Sequence, residues 1–177
     1  MLSILKKKSP HEQEAKALYA QCLATVRQPL FYERYGLPDT MEARFDLLVA
    51  HLYLLIGFNL QKNASVAESF NQALFDVLFV DMDQTLREMG IGDMGVPKRM
   101  RKMMTGFNGR MHRYDKAFAA YDANGDIQPL ATCIALNIYA SEEANNNAGA
   151  LAEYFIKQRA HINKADSLDT DNLFIAG

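Results

Sequence analysis

SVAESFNQALFDVLFVDMDQTLREMGIGDMG, residues Ser65 to Gly95, closes with six residues, Gly90 to Gly95, that fit G-x-G-x-x-G letter for letter. In a dinucleotide-binding unit that pattern follows a β-strand and opens a helix whose N-terminus holds a pyrophosphate. The residues before Gly90 therefore decide between an α/β and an all-α fold. Phe75, Leu78, Phe79, Met82, Leu86 and Met89 recur at steps of three or four, the spacing of one buried helix face. Ser65 and Glu68 form a capping box at its start. Gly90 stands where a helix stops, in the left-handed conformation that glycine adopts without a Cβ clash. The first glycine closes a helix, and no strand precedes it. Without its strand–turn–helix context the motif is expected to bind no nucleotide.

The same punctuation repeats outward from this segment. Upstream, Ser9-Pro10-His11-Glu12 is a capping box with proline at the first helical position, ahead of the face Ala15, Leu18, Tyr19, Cys22, Leu23, Val26. RQPLFYERYGLPDT, residues 27–40, carries two prolines and a glycine and reads as a connection. Asp39 with Glu42 opens a helix to about Leu60. Downstream, helices are expected from about Pro97 to Asp122, from about Pro129 to Tyr139 and from about Ala144 to Lys164. No alternating strand pattern and no internal repeat is present. The expectation is an all-α, single-domain bundle of about six helices over residues 9–164. A basic extension (1–8) precedes it and an acidic, flexible tail (165–177) follows.

With 49% hydrophobic and 23% charged residues, the 177-residue chain has the composition of a globular domain. Cys22 and Cys133 belong to no C-x-x-C motif and read as buried free thiols. MLSILKKKSP has no apolar stretch after its lysines, so it is not a secretory signal. The longest apolar run, Leu47 to Leu60, is shorter than the roughly 20 residues that span a bilayer, and reads as a core helix. The expectation is a cytoplasmic protein without a transmembrane span; peripheral contact with the cytoplasmic face of the inner membrane stays open.

The constellations that could carry chemistry dissolve one by one. Asp81 and Asp83 sit two apart on a helix and point away from each other, so they cannot chelate one ion; Asp83 instead pairs with Arg87 in the acid-first i, i+4 order. DANGDI begins like a calcium loop, but position six is Ile127 and position twelve is Cys133, so it is a turn. The four histidines have no ligand spacing, and His51 on an apolar helix reads as a hydrogen-bonded core or groove residue. No catalytic residue, metal or cofactor is expected, and the protein is read as a non-enzyme.

What remains is PKRMRKMMTGFNGRMHRYDKAFAAYD, residues 97–122. Projected on a helix from Lys98 at zero, Met100, Met103, Met104, Phe107, Met111, Tyr114, Phe118 and Tyr121 fall between about 140° and 240°. Lys98, Arg99, Arg101, Lys102, Arg110, Arg113 and Lys116 take the other side, with Gly106 and Gly109 among them. Glycines on a basic face leave bare backbone where a partner can approach, so this face is expected to be a solvent-side docking surface. Charge is segregated along the chain too: residues 65–95 hold six acids against Arg87, and residues 97–116 seven bases against Asp115. With a net charge of −2, that pattern suits docking on a charged partner more than general nucleic-acid coating, and no DNA is expected. The alternatives are an RNA- or ribosome-binding module that sets the basic helix against phosphates, and a small helical enzyme with an unrecognised pocket.

FYERYGLPDTMEARFDLLVAHLYLL, QALFDVLFVDMDQTLREMGIGDMGVPKRMRKM and FNGRMHRYDKAF together resemble the ubiquinol–cytochrome c chaperone family of the alphaproteobacterial type. The likeness runs from about Phe31 to Tyr139 and is most specific from Gln72 to Lys102. It implies a non-enzymatic chaperone that assists biogenesis of the cytochrome bc complex (complex III). The implied partner is cytochrome b, another component of that complex, the ribosome or a second assembly factor. The positions that match are Asp81, Asp83, Arg87 and Glu88, the turn to Asp93, and the basic helix. The chain departs from the mitochondrial members in having no tryptophan, and the resemblance is not expected to extend into the tail after about Ala140.

Overall fold

The computed structural model describes residues 11–62, 64–168 and 173–175. Among them are seven α-helices and no strand: α1 Glu12–Val26, α2 Pro29–Glu33, α3 Met41–Lys62, α4 Ala64–Glu88, α5 Val96–Asn124, α6 Gln128–Ile138 and α7 Asn146–Lys164. The helix beyond the expected six is α2, a single turn started by Pro29, whose fixed φ suits the first helical position. It sinks Phe31 into the core.

α3 is the central element and packs against α1, α4, α5, α6 and α7. At 22 residues it exceeds the apolar run seen in the sequence, and by length and composition it could cross a membrane. Here it serves as the core helix, with Leu47, Val49, Leu52 and Leu55 all but sealed from solvent. His51 lies in the same core. Its Nδ1–H donates to the Leu47 carbonyl (2.8 Å), and its Nε2 accepts from the Tyr154 hydroxyl (3.1 Å). Phe31, Phe155 and Phe174 meet the imidazole edge to face.

The joint between α4 and α5 forms as the glycine argument requires. Gly90 has φ +79°, Gly90 N–H donates to Arg87 O (2.9 Å) and Ile91 N–H to Leu86 O (3.2 Å). That pair of bonds is a Schellman closure, which satisfies the last carbonyls of α4. Gly92 O then accepts from Gly95 and Val96, turning the chain into α5. DANGDI is a turn as well: Gly125 has φ +75°, Asn124 Oδ1 accepts from Asp126 N–H, and Asp126 Oδ1 from Gln128 N–H.

Several expectations are corrected. The buried stripe of α4 is Phe70, Leu74, Leu78, Met82 and Leu86, while Phe79 is 37% and Met89 54% exposed. Phe79 also keeps steps of three or four, but it lies one 100° step beyond Leu78, outside the seam. α3 is capped by Thr40, whose Oγ1 accepts from Ala43 N–H (3.2 Å), while Asp39 pairs with Arg44. α4 begins at Ala64, one residue before the expected Ser65 cap. Ser9 and Pro10, with the basic extension 1–8, lie outside the described residues.

In the expected flexible tail, a tripeptide is docked. Leu173 is buried, Phe174 meets His51 edge to face, and the fully buried Gln158 side chain clasps the backbone of Ile175. Its Nε2 donates to Ile175 O (2.7 Å), and its Oε1 accepts from Ile175 N–H (3.0 Å).

Candidate partner-binding surface

α5 carries the basic residues, and the structure divides them into two groups. Lys98, Arg99, Arg101 and Lys102, on its first two turns, are exposed. None of the four makes an ion pair or a side-chain hydrogen bond with any described residue. That is an unfavourable way to start a helix. Cations near an N-terminus oppose the helix dipole, and no acid stands in this first turn to offset them. Lys98 and Lys102 are also an i, i+4 pair of like charge, and Arg99 and Lys102 an i, i+3 pair. The helix tolerates this because Val96, Phe107, Tyr114, Ala117 and Phe118 anchor it in the core.

Arg110 and Arg113, expected on the open docking face, are committed internally. Arg110 Nε meets the buried carboxylate of Asp46 on α3, with the guanidinium 5.8 Å from the centre of the Phe45 ring. Arg113 donates twice to Asn137 Oδ1 on α6, from Nη2 (2.7 Å) and Nε (3.1 Å). Burial raises the Asp46 carboxyl above its ordinary pKa, and the Arg110 charge opposes that rise. Gly106 belongs to this arrangement. A Cβ there would come within 2.5 Å of Arg110 Nη1, so the glycine makes room for an arginine folded back along its own helix. At Gly109 the nearest atom to such a Cβ is Arg113 Nη1 at 3.6 Å, an ordinary contact.

The acidic positions are likewise engaged within the fold. Asp81 Oδ2 accepts from the Tyr19 hydroxyl (2.7 Å), which ties α4 to α1. Arg87 pairs with Asp83 (2.6 Å) and with Asp93 across the Gly90 turn, and Glu88 accepts from Gln84 (2.7 Å). Asp81 and Asp83 do point apart.

Between the start of α3, the end of α4 and the start of α5 lies an open cleft of about 630 Å³. Met41, Phe45, Leu86 and Met103 give it apolar walls, and Lys98, Arg99, Lys102 and Arg110 supply its cations, with Glu42 the one acid in the lining. Met41, Glu42 and Phe45 carry no sequence signal for this role, because the cleft exists only once α3 meets the α4–α5 joint. A concave apolar surface edged by free cations suits a ligand with an apolar segment next to negative charge.

The family described as ubiquinol–cytochrome C chaperone matches residues 33–171. The chain belongs to the ubiquinol–cytochrome c chaperone family. The matched span contains the cleft and the whole of α5 and leaves α1 outside; it also takes in α7, which corrects the expectation that the likeness ends near Ala140. Among other proteins the chain resembles, the ubiquinol-cytochrome-c reductase complex assembly factor 1 of Xenopus laevis is 22% identical over 164 residues, covering 92% of this chain and 78% of that protein. The crystal structure of the Cbp3 homolog from Brucella abortus superposes with a TM-score of 0.72 at 32% identity, over 92% of both chains. Family membership and fold thus agree, and GIGDMG is a helix–helix joint in this ubiquinol–cytochrome c chaperone fold.

Proposed function

We propose that this protein is a non-enzymatic assembly chaperone of the ubiquinol–cytochrome c reductase (cytochrome bc) complex, holding cytochrome b or the machinery that makes it at the α3–α4–α5 cleft. The relationship to chaperone and assembly-factor proteins supports the coarse role. The observation that carries the site is the set of four exposed, unpaired cations, three of them lining an apolar cleft. A chaperone must hold its client reversibly. Apolar walls supply non-directional affinity, and cations at the edge speed encounter and select orientation. The hydrophobic floor of Phe45 and Met103 would cover apolar client surface, with Lys98, Arg99 and Lys102 meeting client carboxylates.

The test is a strain lacking the gene, with cytochrome b content and quinol oxidation measured in its membranes. Both should fall sharply and return when the gene is restored. Normal cytochrome b in the deletion strain removes the chaperone role.

A further inference from the structure

Residues 173–175 sit in a groove whose walls are held without them. His51 is fixed by Leu47 O and the Tyr154 hydroxyl, and the Phe31, Tyr35, Tyr154 and Phe155 rings brace one another beside it. Gln158 is fully buried, and among the described residues its amide bonds only to the backbone of Ile175. An amide that donates to the carbonyl and accepts from the N–H of one residue grips extended backbone whatever the side chain. Side-chain selection comes from the neighbours: Leu173 is buried, and Phe174 meets the His51 ring edge to face at 4.8 Å. The tripeptide does not fill the groove. At its Ile175 end lies a further space of about 160 Å³, lined by Arg34, Tyr35, Tyr154 and Lys157. The next residue, Ala176, has too small a side chain to use that space. We propose that this groove is a binding site for an extended peptide segment of a partner protein, of the pattern aliphatic–Phe–aliphatic, and that residues 173–175 occupy it in cis as a displaceable ligand.

The tripeptide is attached lightly enough to leave. Two hydrogen bonds and two inserted side chains hold it, and Ile175 is 38% exposed. Its release opens the groove while the helices stay packed, a local opening and not an unfolding. Two observations choose a separate partner over the tail of a second copy. The nine residue steps from Lys164 to Leu173 can span about 30 Å, against about 9 Å of α7 between Gln158 and Lys164, so each molecule reaches its own groove. A second copy offers the same tripeptide and gains no contact over the cis one. A partner segment with a larger side chain after the aliphatic residue gains the space beyond Ile175. A tethered ligand competes at an effective concentration on the order of millimolar, so the cis tail sets a threshold that the partner must exceed. The groove shares no residue with the lining of the α3–α4–α5 cleft, so peptide binding here is read independently of cytochrome b assembly.

The experiment is fluorescence anisotropy of a labelled peptide, DNLFIAG (the sequence of residues 171–177), titrated with the full chain. Phe174→Asp in the protein removes the aromatic anchor and frees the groove, with circular dichroism as the folding control. Saturable binding to this variant is expected, with binding to the wild-type chain at least about tenfold weaker because its own tail competes. The control peptide DNLDIAG should not bind. Adding Gln158→Leu to Phe174→Asp should weaken binding of DNLFIAG about tenfold, since both backbone bonds are lost. Hydrogen exchange on the wild-type chain reads the site without any substitution: millimolar DNLFIAG should speed exchange of the Ile175 N–H about twofold, and DNLDIAG should leave it unchanged. The proposal is overturned by absence of saturable binding to the folded Phe174→Asp chain, by equal binding of the two peptides, or by indifference to Gln158→Leu. Should Phe174→Asp not fold, Ile175 exchange that DNLFIAG leaves unchanged overturns it. So does a wild-type dimer that Phe174→Asp dissociates, which would assign the groove to the tail of a second copy.

Discussion

Arg110 on α5 meets Asp46 on α3 in an ion pair whose carboxylate side chain is only 4% exposed. Arg110→Ala leaves that carboxylate buried without its charge partner, and is expected to cost about 3 kcal/mol in urea unfolding. The double variant Asp46→Leu with Arg110→Met should recover most of the loss, because an apolar pair of similar size often replaces a buried ion pair without penalty. Lys102→Ala, at an exposed and unpaired site, should change stability by less than about 0.5 kcal/mol. Equal effects of the two single substitutions would show that Arg110 is a surface residue.

Gly106→Ala offers a sign test. At an open helical position the change stabilises by about 1 kcal/mol. Here the new Cβ meets the Arg110 guanidinium at 2.5 Å, and that side chain is held by Asp46. The substitution should therefore destabilise the native chain, yet stabilise the Arg110→Ala background by about 1 kcal/mol. A double-mutant cycle by chemical denaturation reads the sign directly.

His51 makes stability depend on pH. Burial in an aromatic core lowers its pKa from 6.5 to about 4. Between these values the unfolded chain binds a proton that the folded chain refuses, so stability is lost as pH falls from about 6.5 to about 4, by about 3 kcal/mol in all. Asp46 acts in the opposite sense, since its raised pKa lets the folded chain take up a proton first. His51→Phe should flatten the unfolding midpoint between pH 6.5 and 4, because phenylalanine has nothing to titrate. A midpoint that still falls with the same slope places the titration elsewhere.

Gln158→Leu should release the docked tripeptide. Among the described residues this buried amide bonds only to Ile175, so the Ile175 N–H should lose its hydrogen-exchange protection while α3 stays protected. Unchanged protection at Ile175 would show that Leu173 and Phe174 hold the tail unaided.

The elements legible in the sequence were those set by local chemistry. Gly90 closes α4 because a left-handed position selects glycine within one turn, and the methionine stripe of α5 follows from the 3.6-residue period. What sequence missed was set by neighbours. Phe79 and Leu78 both satisfy the period, and only the position of α1 and α3 decides which is buried. Arg110 and Arg113 project to the basic side of the wheel, but an arginine stem is long enough to carry its head group onto an adjoining helix. Their partners Asp46 and Asn137 lie on α3 and α6, beyond the reach of any pattern along α5. The cleft was hidden for the same reason: Phe45 and Met103 become neighbours only when the helices pack.

On the proposed function, the cations at the cleft, and not the basic face at large, serve assembly of the cytochrome bc complex. The most direct measurement is cytochrome b content in membranes of a deletion strain that expresses Lys98→Glu, Arg99→Glu and Lys102→Glu together, with circular dichroism of the purified variant as the folding control. The triple variant is expected to fold and fail to restore cytochrome b, while Lys116→Glu, at an exposed site outside the cleft lining, restores it fully. Wild-type cytochrome b in the triple variant would contradict it.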